Sequence, residues 1–319
     1  MNPMSRPEEN ICAVVVTYNP GRGLENNLAA LAAQAPNIVI VDNASRPEGL
    51  AIVRQGSMSV KAHLILNHEN LGIAAALNQG IKYAISNGFS WVATFDQDSS
   101  ITPSFFVDLL KTAREAENFN KLAFIAPCFV DESTGIIARS ASNYFIASEE
   151  KDFGVVSLTI SSGNLIPIST FNVVGLFDEW LFIDYVDFDF CFRCAAHGLF
   201  VVEAKNVLLR HNPGKSTLHK VVFLKKKIST SNHSLFRRYF MARNRIILYK
   251  RYFFSQFNWC LRDAKNFTKE ILKIIFFEDD KSGKLFSSFR GGVHGLLGIG
   301  GQAPEDLRKS EIVPKKYSP

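Results

Sequence analysis

"ICAVVVTYNPGRGLENNLAALAAQAPNIVIVDNAS", residues 11–45, sets two apolar, β-branched runs on either side of a stretch with helical spacing. ICAVVVTYN (11–19) and NIVIVDNAS (37–45) read as strands, and LENNLAALAAQA (24–35) reads as a helix. The order then recurs. VKAHLILN (60–67) is a strand, IAAALNQGIKYAISNG (73–88) a helix closed by Gly88, and WVATFDQD (91–98) a strand. Continuous apolar strands joined by helices are buried on both faces, so the series predicts a Rossmann-like α/β fold with a mostly parallel sheet.

Every strand of the series ends in polar residues: Thr17, Tyr18 and Asn19; Asp42 and Asn43; Asn67 and Asn70; Asp96 and Asp98. Four polar clusters therefore share the carboxyl edge of one sheet. In open parallel sheets ligands bind at that edge, because loops and helix N-termini converge there.

Beyond this series the pattern loosens. FIAPCFVDESTGIIARS (124–140) reads as strand, turn and strand, and the polar SSGNLIPIST (161–170) precedes WLFIDYVDFDFCFRCAAHG (180–198). The last 85 residues or so are helix-like, basic and rich in Phe, with RRYFMARNRIILYKRYFF (237–254) and LRDAKNFTKEILKIIFF (261–277) the clearest segments. The aromatic run YFFSQFNW (252–259) reads as core, and the end, VPKKYSP, as frayed. This predicts two parts, residues 1–215 and a helical C-terminal extension over 216–319.

At 319 residues, with 47% hydrophobic and 21% charged, the chain can bury a substantial core. MNPMSRPEEN at the start carries two acids and no apolar core, so no signal peptide is expected, and no run of about 18 apolar residues predicts a membrane span. Five scattered cysteines do not form a disulfide framework, and the expected compartment is the cytoplasm. Charge is unevenly divided: residues 205–290 carry 20 Lys and Arg against 5 Asp and Glu, the remainder 16 against 25. A basic stretch in an otherwise acidic chain points to an anionic partner such as a membrane surface or a polyphosphate, or else to a solvated basic face. Signatures of nucleic-acid modules are absent, and nucleic acid is not expected as a partner.

Side chains two apart on an extended segment point the same way, so Asp96 and Asp98 share a face if the strand continues through them. Hard divalent ions bind one or two carboxylates together with substrate phosphates, and a nucleoside diphosphate supplies such phosphates. The competing reading makes Asp96 a turn cap and Asp98 the start of an Asx turn. Asp42 is open between a contact to base or ribose and the turn of DNAS. Neither G-x-G-x-x-G nor G-x-x-x-x-G-K-[ST] is present. In DYVDFDFCFRC, Asp187 falls in the first turn of a helix predicted over 185–197 and ended by Gly198, as a general base or as a cap. Asp184 lies one turn back, where its charge would raise the pKa of Asp187, whereas Asp189 and Arg193 pair at i, i+4. Cys191 and Cys194 lack a second cysteine pair and read as buried thiols. His211, after an apolar strand, is open between a turn residue and a phosphate or metal contact.

Taken in order, VVVTYN, VDNAS, NLGIAAALNQGI, FDQDS, SGNLIP and FIDYVDFDFCFR resemble glycosyltransferase family 2, the inverting GT-A type, over roughly residues 11–215. FDQDS, LFIDYVD and HSLFRRYFMARNRI (233–246) resemble in particular the branch that uses dTDP-L-rhamnose. The resemblance implies the GT-A nucleotide-diphospho-sugar transferase fold. It implies a donor site at Thr17, Tyr18, Asn19, Asp42, Asn43, Asn70, Gly72 and Asp96, and a Mg²⁺ or Mn²⁺ ion on Asp98 with Asp96 and His211. Asp187 takes the place of the catalytic base, and Gly163, Asn164 and Asp184 stand on the acceptor side. Where many relatives have Glu-Asp this chain has Val186-Asp187. The implied activity is transfer of L-rhamnose to a saccharide acceptor, lipid-linked, in cell-surface polysaccharide assembly. A UDP-hexose donor and a non-catalytic scaffold are the alternatives. The basic tail fits the inner membrane leaflet, making the protein peripheral there, or else a homo-oligomer interface.

Overall fold

The computed structural model of the chain describes residues 10–116, 121–131, 137–138, 152–211, 217–221 and 226–312. VPKKYSP, most of the turn within 124–140 and the first nine residues lie outside the described residues. The chain divides into two compact units, residues 1–179 with 186–212, and residues 180–185 with 213–319.

The first unit runs β1 (Ile11–Thr17), α1 (Leu24–Ala32), β2 (Asn37–Asp42), α2 (Pro47–Ser59), β3 (His63–Leu66), α3 (Ile73–Ser86) and β4 (Trp91–Asp96). It continues with β5 (Ser99–Ile101), α4 (Phe105–Ala116), β6 (Leu122–Asp131), β7 (Ile137–Ala138), β8 (Phe153–Val156), β9 (Asn164–Pro167), α5 (Ile168–Val174), α6 (Val186–Ala196) and β10 (Phe200–His211). Among the described residues these strands form one sheet in the order β3-β2-β1-β4-β9-β6-β10-β5, with β7 beside β6 and β8 beside β10. The strands β3, β2, β1 and β4 are mutually parallel, β9 is antiparallel to β4 and β6, and β10 is parallel to β6.

All seven residues of β1 are buried, as a central strand covered on both faces requires. Each large side chain so buried contributes about 1.5–3 kcal/mol relative to exposure. On the face covered by α3, Gly80 is the close-approach position: a Cβ there would lie 2.3 Å from Val14 Cγ1. Two helices are absent from the sequence reading. In α2 the burial pattern is sparse, and Pro47 at its N-terminus was the available signal. In α4 seven of twelve residues are buried, Phe105 and Phe106 among them.

The second unit contains β11 (Thr217–Val221) paired with β12 (Lys226–Thr230), then α7 (Leu235–Tyr252), α8 (Phe257–Phe277), α9 (Lys281–Leu297) and α10 (Glu305–Ile312). Ser234 caps α7, its side chain accepting from the Arg237 N–H. Gly291 and Gly295 let α9 lie directly on α7, where a Cβ would meet the Tyr239 carbonyl at 2.2 Å and the Arg243 carbonyl at 2.5 Å. A small core of Phe182, Phe236, Tyr239, Phe240, Ala303 and Leu307 holds the unit together. One sequence expectation fails here. Phe253, Phe254 and Phe257, read as core, are exposed, Phe254 at 97%, and only Trp259 of that run is buried. No helix of the described residues is long and apolar enough to cross a membrane.

Candidate active site

The parallel register places the ends of β1, β2 and β4 side by side: Thr17 is level with Asp42, and Val16 with Asp96. Thr17 and Asp42 are buried and face each other, Thr17 Oγ1 donating to Asp42 Oδ1 at 2.9 Å. The same carboxylate accepts from the Ser45 N–H at 2.9 Å and from Ser45 Oγ at 2.5 Å. Asp42 therefore braces the DNAS turn. The turn in turn fixes Asn19, whose N–H donates to Ser45 Oγ and whose Oδ1 accepts from the Arg46 N–H.

Asn43 organises the neighbouring loop. Its Oδ1 accepts from the Leu71 N–H at 3.0 Å, and its Nδ2 donates to Asn70 Oδ1 at 2.9 Å and to the Gly72 carbonyl at 3.2 Å. Asn70 Oδ1 also accepts from the Gly72 N–H. Gly72 enters α3 at φ 87, a conformation that a side chain disfavours. The NLG loop is thus fixed on the β2 end by amide groups.

Asp96 is the last residue of β4, and Gln97 and Asp98 form a turn before β5. The strand does not continue through both acids, so the shared-face argument does not hold; the turn, with Asp98 exposed and Asp96 half-buried, presents them instead. Gln97, which the sequence reading passed over, is the cross-link. Its Oε1 accepts from the Tyr18 N–H at 2.8 Å, its Nε2 donates to the Tyr18 carbonyl at 3.3 Å, and its own carbonyl accepts from Asn27. Only its place between two acids could have marked it.

The SSGN segment closes over the same turn. Ser162 Oγ accepts from the Asp96 N–H at 3.0 Å and lies 2.8 Å from Ser99 Oγ. Gly163, at φ 79, donates to the Thr94 carbonyl at 2.6 Å, and a Cβ there would lie 2.8 Å from Pro127. Asn164 is buried, with Nδ2 donating to Ile160 at 2.7 Å. His211 ends β10 level with Ser99, one residue past Asp98; its side chain lies outside the described residues.

Asp187 lies in the first turn of α6, its Oδ1 accepting the neighbouring Phe188 N–H at 2.9 Å. One turn on, Cys191 Sγ approaches the Thr159 carbonyl at 4.0 Å, setting α6 beside the segment that carries Ser162. Asp189 is fully buried and pairs with Arg193 at 2.8 Å, as its spacing predicts. Cys191 and Cys194 are buried free thiols; burial pushes both up, Cys194 to about 12.

Asp184 lies in the segment before α6. It has left-handed backbone at φ 61 and belongs to the second unit, where Arg237 holds its carboxylate. Phe182 and Tyr185 are also left-handed, at φ 65 each. Such residues cost about 1–3 kcal/mol apiece and persist only where their surroundings hold them. The second unit does so: Arg243 donates to the carbonyls of Trp180 and Leu181, and Asn244 reaches those of Leu181, Ile183 and Asp184 at 2.7–2.9 Å. Tyr185 Oη donates to Asp263, which also pairs with Arg245 at 2.7 Å.

A hard divalent cation is held by one or two carboxylates together with substrate phosphates, and the DQDS turn offers two carboxylates, so it fits such an ion. No cluster of three or more acidic, His or Cys side chains that could hold a metal occurs among the described residues.

The sequence model of "Glycosyl transferase family 2" matches residues 12–151. The chain is 34% identical to the dTDP-rhamnosyl transferase RfbF of Shigella flexneri over 260 residues, covering 76% of this chain and 80% of that protein. It is similar in structure to S. aureus TarS 1-349 in complex with UDP-GlcNAc, with TM-score 0.54 and 14% identity over 94% of this chain and 83% of that one. It also resembles the mannosyltransferase PcManGT from Pyrobaculum calidifontis in complex with GDP-Man and Mn2+, with TM-score 0.52 and 12% identity over 94% and 77%. At these identities the structural likeness is one of fold, the GT-A fold.

Proposed function

Because the chain belongs to glycosyltransferase family 2, we propose that it is an inverting enzyme that moves L-rhamnose from dTDP-β-L-rhamnose to a saccharide acceptor. The acceptor in this reading is lipid-linked, and the product enters a cell-surface polysaccharide. The observation that carries the donor assignment is the 34% identity to a dTDP-rhamnosyl transferase over most of both chains.

In this reading the β1 and β2 ends, with Tyr18, Asn19, Asn43 and the NLG loop, receive the nucleotide. Thr17, Asp42 and Gln97 set the backbone around it. Asp96 and Asp98 would hold Mg²⁺ or Mn²⁺ against the diphosphate, with His211 on the adjoining strand as a further ligand. When bound, such a cation neutralises the charge that grows on the leaving diphosphate. Asp187 takes the proton of the acceptor hydroxyl; that oxygen attacks the anomeric carbon from the face opposite the diphosphate. The new C–O bond forms as the bond to the phosphate oxygen breaks, dTDP leaves, and a β-linked donor gives an α-rhamnoside. Gly163 and Asn164 line the acceptor side, with the SSGN segment seated on the metal-binding turn.

The test is Asp187→Asn. The expected result is a loss of transfer of about 10²–10⁴-fold with dTDP-rhamnose binding retained. Full transfer by this variant would remove Asp187 from the mechanism, and unchanged biological function without any transfer would favour a scaffold.

A further inference from the structure

The second unit carries an amphipathic surface. In α8, Phe257, Leu261, Leu272 and Ile275 recur on one face and are 40–54% exposed, and Phe276 beside them is 65% exposed. Of this helix only Trp259, Cys260 and Ile274 are buried. Arg262, Lys265, Lys269 and Lys273 recur three or four residues apart in a second stripe along the apolar one. Its two acids lie on the opposite side: Asp263 pairs with Arg245 at 2.7 Å, and Glu270 with Arg245 and Arg238 at 3.5 and 3.7 Å.

Packed next to it, α9 has the same division. Its glycine and serine face lies on α7, while Phe286, Phe289, Leu296 and Leu297, also on one face, are 64–70% exposed. Scattered exposed apolar residues are ordinary on a protein surface, but runs confined to one helical face mark an interaction site.

We propose that α8, with the Phe and Leu face of α9, is a membrane-docking surface that lies in the plane of an anionic leaflet. The apolar stripe would enter the acyl boundary while the basic stripe meets lipid phosphates. Charge decides between this occupant and a second copy of the chain. A two-fold contact on this face would bring two basic stripes together, and both acids of α8 are already engaged by the arginines of α7. No described helix can span a bilayer, so attachment would be by this surface and in the plane. The inference deepens the function proposed above and rests on it for the lipid-linked acceptor that gives docking a purpose.

The test is co-sedimentation of the full chain with phosphatidylcholine vesicles, with and without phosphatidylglycerol, in the absence of donor and acceptor. Pelleting is expected only with phosphatidylglycerol, weakening as salt rises. Lys265→Glu with Lys269→Glu is expected to weaken it about 25-fold or more, at about fivefold per lost charge. Leu272→Asp with Phe276→Asp is expected to abolish pelleting while melting temperature and transfer to a water-soluble acceptor stay unchanged. Equal behaviour of these variants and the parent, no pelleting on either vesicle, or a dimer that the Asp variants dissociate would each overturn the proposal. Failure of the rhamnose assignment would appear only in the transfer assay, never in the sedimentation.

Discussion

Within the three residues Asp96, Gln97 and Asp98, the middle one ties the turn to the Tyr18 backbone and the outer two offer carboxylate oxygen. Asp98→Ala is expected to lower metal-supported nucleotide affinity by about 10- to 100-fold while leaving metal-free binding unchanged, read by titration with Mg²⁺ and with chelator. Equal affinities would release Asp98 from the metal. A different residue contributes to acid stability. Burial, followed by repulsion from Arg237 and Arg238, lowers His233 from its ordinary 6.5 to about 4. Between those values the unfolded chain binds the proton that the folded chain refuses, so stability is full above pH 6.5 and falls as pH drops toward 4. Thermal melts across this window should show a slope that His233→Gln reduces; an unchanged slope would contradict the assignment. At this scale the Asp189–Arg193 pair was legible from residue type and spacing. Gln97 and Asp184 were not, because one acts through backbone contacts 79 residues away and the other pairs with Arg237, 53 residues on.

Helix α9 carries two adjacent glycines with opposite surroundings. A Cβ on Gly291 would press on the Tyr239 carbonyl, whereas one on Gly292 would meet nothing within 4 Å. Gly291→Ala should therefore destabilise by about 1–3 kcal/mol through overpacking. Gly292→Ala should stabilise by about 0.4–1 kcal/mol by restricting the unfolded chain. Denaturant midpoints of the two variants should move in opposite directions, and a shift of the same sign would contradict the α7–α9 contact. Asn244→Ala removes the amide that reaches three carbonyls of the strained 181–184 segment, with an expected cost of about 1–3 kcal/mol. The β1-α1-β2 and α3-β4 elements were legible because their apolar periods are regular. The sequence reading passed over α2 because only four of its thirteen residues are buried, which leaves a weak stripe. In α4 the helical stripe is strong, but it follows the polar turn at Asp98 so closely that the segment reads as irregular.

At the scale of the molecule, the excess of basic residues over 205–290 resolves into two kinds. Arg238, Arg243 and Arg245 are buried parts of the second unit's core, while Arg262, Lys265 and Lys269 are exposed on α8. Net charge in the sequence could not separate them, since both kinds sit in helices of similar composition. The first unit's role was more legible, because a parallel sheet fixes where its strand ends go and thereby gathers residues far apart in the chain. The proposed function requires a metal-supported dTDP-rhamnose site at that edge. Calorimetric titration with dTDP-β-L-rhamnose and, separately, UDP-glucose, each with Mg²⁺ and with chelator, measures whether such a site exists. The expected result is binding of dTDP-β-L-rhamnose that Mg²⁺ strengthens and the chelator weakens. Binding of UDP-glucose in preference to dTDP-β-L-rhamnose would contradict the donor, and binding indifferent to the chelator would contradict the metal.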